Sequence, residues 1–171
     1  ILDMEAIAEQ SYDAMEAYIL ANEKANDKLE EASDELDEAV REYAKKYDIN
    51  LIEAEEDKKS QKIKRASLAL KHYNTVYLMF FKVYKQEAYV LDAQAKNDIV
   101  ALEQNNNTLQ QFAEEELHKL DTLQPFEGDR QLIIAARKII TFYKSEAEND
   151  FPIYVDFHVK KDNFEKAQKI M

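Results

Sequence analysis

The residues in this chain that could do chemistry are few. Glu115-Glu116-Leu117-His118 has the Glu-x-x-His spacing that di-metal carboxylate bundles use. Such a site needs that pair on two helices plus two further inward Glu residues. His72 and His158 do not supply the second pair, because Ala69 and Val155 stand three residues before them. A mononuclear site from His72, His118 and His158 would need three helices to converge. Half a motif makes no site, so the sequence implies no metal and no cofactor, and a metal-carboxylate enzyme is the remotest reading. Ser11, Ser33, Ser60, Ser67 and Ser145 lie in helical pattern with no nucleophile elbow around them. One Gly in the whole chain excludes a Gly-rich phosphate loop, and the absence of Cys excludes thiol chemistry and disulfides. No catalytic residue is assigned.

The tyrosines remain. Tyr73, Tyr77, Phe80 and Tyr84 follow one another at steps of three and four. They are candidate ligand-binding residues if a pocket opens between helices, which would make the protein a small-molecule sensor or carrier. The plainer reading is that their rings fill space opposite small residues, each hydroxyl reaching the rim or a buried partner.

These residues must be positioned by helices. With one Gly and two Pro in 171 residues, none of them before Pro125, tight turns and hairpins have nothing to build on. The fold class is all-α, an elongated antiparallel bundle of three to four long helices, read as a single domain over 1–171. No run approaches the roughly 18 apolar residues of a spanning helix, so no transmembrane segment is expected in this chain.

Along the first helix, expected from about Asp3 to Tyr47, a seam runs Ile1, Met4, Ala8, Ser11, Met15, Tyr18, Asn22, Ala25, Leu29, Ala32, Leu36, Ala39, Tyr43 in heptad register. Asn22 reads as a register-setting polar residue. Tyr47-Asp48-Ile49-Asn50 reads as the helix end, Leu51 and Ile52 as tucked beneath it, and Asp57 or Ser60 as the next N-cap. The second helix is expected from about Lys58 to Gln104. Its stripe runs Ile63, Ala66, Leu70, Tyr73, Tyr77, Phe80, Tyr84, Leu91, flanked by Val76, Phe81 and Ala88. Folding about residue 52 would lay residue 34 near residue 70.

Asn105-Asn106-Asn107-Thr108 reads as a turn, since Asn is a poor helix former. Its glycosylation sequon is taken as incidental. A third helix is expected from Thr108, with Leu109, Phe112, Leu117, Leu120 and Leu123 inward. Pro125 to Asp129 interrupts it, and it resumes through Leu132, Ile133, Ala136, Ile139, Ile140 and Tyr143 to about Glu148. Asn149-Asp150-Phe151-Pro152 then reads as the start of a last helix, with Pro at its first position.

The net charge of −12 lies wholly in the first third, where residues 1 to 60 hold 19 acids against 7 bases. That balance disfavours nucleic acid and anionic lipid as partners. It also sets an acidic stretch, Glu30 to Glu42, against a basic one, Lys58 to Lys71, across the expected hairpin. Ile1 and Met171 both stand inside periodic stretches, which reads as a chain trimmed from something longer.

Three segments carry a resemblance: Glu42-Tyr43-Ala44-Lys45-Lys46-Tyr47-Asp48-Ile49, Val76-Tyr77-Leu78-Met79-Phe80-Phe81-Lys82 through Glu87-Ala88-Tyr89, and Phe142-Tyr143-Lys144-Ser145-Glu146-Ala147-Glu148. They resemble an uncharacterised family of bacterial exported or surface helical-bundle proteins, often lipid-anchored. The resemblance implies an exported or cell-envelope protein whose leader and lipid anchor would lie outside this chain. The family carries no activity and no catalytic residues to transfer. The expectation is therefore a non-catalytic protein acting by binding or as a scaffold, its partner an unidentified protein or small molecule.

Overall fold

The computed structural model describes residues 7–51 and 58–170. It is all-α. Among the described residues four long helices are present: α1 (Tyr12–Lys46), α2 (Lys58–Ala95), α3 (Ile99–Thr122) and α4 (Gln131–Ile170). The chain divides into two compact units, residues 1–74 and 75–171, and α2 runs through both.

The second unit is an up-down-up bundle of residues 75–95 of α2 with α3 and α4. Three heptad registers build its core. On α2 the buried line is Val76, Val83, Gln86, Val90 and Ala93, with Met79 packed against it. On α3 it is Leu102, Asn106, Leu109, Ala113, Glu116 and Leu120, and on α4 it is Ile133, Ala136, Ile140, Ala147 and Phe151. Steps of three, four and seven are what antiparallel helices need to interdigitate. Burying each of Leu102, Leu109, Leu120, Ile133 and Ile140 contributes about 1.5–3 kcal/mol.

The stripe expected on α2 is therefore off by one residue. Val76, Val83 and Val90 face the core where Tyr77, Tyr84 and Leu91 were expected, and Tyr84 and Leu91 are exposed. Large rings weigh heavily in a periodicity, but here the compact valines fill the close-packed interior while Tyr77 and Phe80 stack on ring neighbours along the helix.

The breaks also differ. α2 ends at Ala95, not Gln104. Asn97 adopts φ 54°, a left-handed value that Asn tolerates. The Asp98 amide then reaches back to the Ala93 carbonyl at 3.0 Å, and the Asp98 carboxylate caps α3 by accepting from the Ala101 amide at 3.0 Å. Asn105, Asn106 and Asn107 are helical, contrary to the expected turn, because α3 turns two of them into contacts. Asn105 accepts from Gln86, and buried Asn106 donates its amide to the Ala147 carbonyl at 2.9 Å. Pro152 lies inside α4 rather than at a helix start. A proline there removes one ladder donor and crowds the carbonyl four residues back. In the turn just before it, Asn106 and Gln110 of α3 both donate to the Ala147 carbonyl, fastening α4 where its own ladder is weakest. The interruption at Pro125 is as expected. Glu127 and Gly128 have φ 50° and 84°, the Asp129 amide donates to the Phe126 carbonyl, and the Asp129 carboxylate accepts from the Gln131 amide.

In the first unit α1 begins at Tyr12, capped by the Ser11 hydroxyl, so the heptad run expected from Asp3 is broken there. Residues 1–6 of that run, and Ile52 and Asp57, fall outside the described residues. The end of α1 is as expected: Asp48 has φ 51° and the Ile49 amide returns to the Ala44 carbonyl. Leu51 is exposed rather than tucked under.

α1 and the start of α2 run antiparallel. Lys71 donates to Asp27 at 2.5 Å and Asn74 to Glu23 at 2.9 Å. Residue 27, not residue 33 or 34, thus stands beside residue 71, a displacement of nearly two turns, about 10 Å at 1.5 Å per residue. Asn22 donates to the Tyr18 carbonyl of its own helix and sets no register. The expected seam is not a core here. No residue from Leu20 to Tyr43, or from Ser60 to Thr75, is buried.

Candidate functional site

The second unit concentrates its polar chemistry on two faces of the bundle. On the first, α2 delivers Lys82 between two carboxylates of α3. Its ammonium donates to Glu115 at 3.0 Å and to Glu116 at 3.1 Å, and sits 4.2 Å from the centre of the Phe112 ring. Lys119, one turn along from Glu116, donates to the same carboxylate at 2.7 Å. Only 2% of the Glu116 side chain and 15% of that of Lys82 are exposed. Burial alone would lower the Lys82 pKa, but the two carboxylates outweigh it and hold the amine above its usual pKa. The hydrogen bond from Lys82, with a second from Gln111, holds Glu115 below the usual carboxylate value. Lys82 is thus a fixed cation and not a nucleophilic amine. Its chemistry is pairing.

On the second face, α2 and α4 run parallel and bring Tyr84 and Glu87 beside Tyr143 and Glu146. Burial, and then the charge of Glu146, push Glu87 above the usual carboxylate value; burial, and then Asp150, do the same for Glu146. Tyr143 is raised by burial and by Glu87, Tyr84 and Glu146 in turn. This cluster holds protons more readily than free side chains do.

The sequence-predicted aromatic residues all lie on α2. Tyr73 belongs to the first unit and is exposed. Tyr77, Phe80 and Tyr84 belong to the second. Tyr77 stacks on Phe81 with centroids 5.5 Å apart, and Phe80 stacks on Tyr84 at 5.7 Å. Each ring covers its neighbour one turn on along α2. Of the Glu-x-x-His spacing, Glu115 is engaged by Lys82 while His118 is exposed. Among the described residues no group of three or more His, Cys, Asp or Glu is placed to hold a metal ion. The sequon residue Asn106 is 5% exposed, inside the core.

Sequence reasoning missed Lys82, Gln86, Asn106 and Glu116. The signal was available for α3: Asn106 and Glu116 occupy the same register as Leu102, Leu109, Ala113 and Leu120. A polar residue on a core register needs a partner: Lys82 of α2 answers Glu116, and the Ala147 carbonyl of α4 answers Asn106.

No family model, curated protein or solved structure matches this chain.

Two outcomes follow. Lys82→Met leaves the Glu116 carboxylate buried with Lys119 alone and should destabilise the protein by about 2–4 kcal/mol in urea unfolding, whereas Lys82→Met with Glu116→Leu should recover most of that loss. The second concerns pH. A carboxylate whose folded pKa is raised binds its proton more tightly in the folded state. Stability therefore rises as pH falls through the folded pKa towards the ordinary value of 4.5. Glu115 acts with the opposite sign, its contribution lost only below 4.5. Between neutral pH and about pH 5 the melting temperature should climb, and Glu87→Gln or Glu146→Gln should flatten that climb while raising stability at pH 7.

Proposed function

We propose that this protein is a non-catalytic bacterial cell-envelope or secreted helical-bundle protein that acts by binding or as a scaffold. The observation that carries the binding half of this reading is the contrast between the two units. The second unit buries a continuous apolar core between three helices, with Ile134, Phe142, Ile153 and Phe157 exposed outside it. The first leaves Leu29, Leu36, Val40, Tyr43 and Tyr47 exposed in a line along α1, with Leu36 65% exposed. Their steps of seven, four, three and four keep them on one helical face. A contiguous exposed apolar line of this kind marks an interaction surface. The envelope or secreted location rests on the resemblance of the three helical segments. No described helix is long and apolar enough to cross a membrane.

A photo-crosslinking amino acid at position 36, introduced into the protein in the bacterium that makes it, tests this reading. The expected outcome is a covalent protein adduct recovered in the envelope or medium fraction, and no adduct when the same group stands at Asp34 on the opposite face. Absence of any adduct from position 36 would overturn the reading.

A further inference from the structure

The exposed line of α1 has a shape and a charge pattern. Leu29, Leu36 and Tyr43 stand seven residues apart, with Val40 and Tyr47 four residues beyond Leu36 and Tyr43. Ala32 and Ala39 fill the steps between them and are exposed as well. Large side chains alternating with small ones leave hollows along the helix, into which a second helix can set its own large residues. At the end of the line Tyr43 and Tyr47 lie with ring centroids 4.6 Å apart, and both are more than half exposed. Tyrosines are enriched at protein interfaces because the ring gives area and the hydroxyl a hydrogen bond.

Charge selects the occupant. Successive helical residues lie about 100° apart around the axis. Glu35 and Asp37 therefore flank Leu36 on its two sides, Glu30 stands beside Leu29 and Glu42 beside Tyr43. All four are exposed. Glu30 is within electrostatic reach of Lys71 on α2. Among the described residues no hydrogen bond or ion pair engages Glu35, Asp37 or Glu42. Over residues 30–42 α1 holds seven acids and one base, while Lys24 and Lys28 stand before that stretch and Lys45 and Lys46 after it. The middle of the line repels an acidic helix, a nucleic acid and an anionic lipid surface alike. A helix that carries Lys or Arg beside its own apolar stripe suits it, since flanking charges of opposite sign decide which helices pair.

We infer that α1 between Leu29 and Tyr47 is a docking strip for an amphipathic helix of a partner protein, basic over its middle stretch. This rests on the binding reading above and names the class of partner. The partner's large apolar residues seat against Ala32 and Ala39. Its Lys or Arg side chains reach Glu35, Asp37 and Glu42, and its ends are neutral or acidic where Lys28 and Lys46 stand. The apolar line supplies the affinity. Each exposed ion pair adds little, and together they set which helix fits and how fast it arrives.

The test uses the purified full chain and labelled peptides of about three heptads. One is a leucine-striped helix with Lys flanks, one is the same helix with Glu flanks, and one is a scramble of the first. Fluorescence anisotropy should give the Lys-flanked helix a Kd below about 100 μM, at least about 10-fold tighter than either other peptide. Leu36→Gln with Val40→Gln should weaken that binding about 10-fold or more, as loss of central apolar anchors does. Glu35→Gln, Asp37→Asn and Glu42→Gln together should cut the preference for Lys over Glu flanks to about 3-fold or less. These exposed replacements should leave α1 helical by circular dichroism, so lost binding is not a folding failure. No binding of the Lys-flanked helix overturns the inference. So does equal binding of the Glu-flanked or scrambled peptide, or binding that neither pair of changes alters. The adduct from position 36 in the cell separates this inference from the reading beneath it. Attachment to a basic amphipathic helix of another protein supports both. Attachment to any other segment, a second copy of this chain included, overturns the basic partner and leaves the binding reading standing. No adduct overturns both.

Discussion

An amphipathic helix is stable in water only when its apolar stripe is covered, and the two units of this chain meet that constraint differently. In residues 75–171 three registers close on one another, and Leu102, Leu109, Leu120 and Ile140 lose all contact with solvent. In residues 1–74 α1 and the start of α2 touch through side chains such as Asp27 and Lys71, and the apolar line beside them stays in water. Tertiary packing, more than intrinsic propensity, stabilises most protein helices. The first unit therefore depends on charge, capping and whatever covers its face, while the second depends on its own core.

The polar residues in that core serve the same end. Glu116 and Asn106 each occupy a register position where an apolar residue would pack, and each is answered from the neighbouring helix. Lys82 comes from α2 to Glu116; Ala147 offers its carbonyl from α4 to Asn106. A slip of one heptad would strand both. Buried pairs of this type add little net stability, and their best-attested use is to fix register. The Ala147 contact has a second effect, since it secures α4 one turn before Pro152, where the helix lacks a donor.

Much of the architecture was legible in the residues. The scarcity of Gly and Pro dictated helices, and Tyr47-Asp48 and Pro125-Gly128 marked true ends because their backbone demands are local. What was not legible depended on distant partners. Asn105 to Asn107 look like a turn until Gln86 and Ala147 are supplied, and Pro152 looks like a start until α3 is seen to hold the preceding turn. The aromatic line Tyr77, Phe80, Tyr84 outweighed the valines one position away, although the rings stack along the helix surface and the valines fill the interior. Tyr73, Tyr77, Phe80 and Tyr84 were legible as a stripe along α2. The pairing of Lys82 with Glu116 was half legible: Glu116 stands on the register of Leu109, Ala113 and Leu120, but nothing about Lys82 announces burial.

Amide hydrogen exchange followed residue by residue at several protein concentrations bears most directly on the division between a self-sufficient core and an uncovered face. Amides of α3, and of α4 from Ile133 to Phe151, should be protected to the same degree at every concentration. Those from Leu29 to Tyr43 should exchange much faster at every concentration. Protection of Leu29 to Tyr43 that is high and independent of concentration would contradict the division.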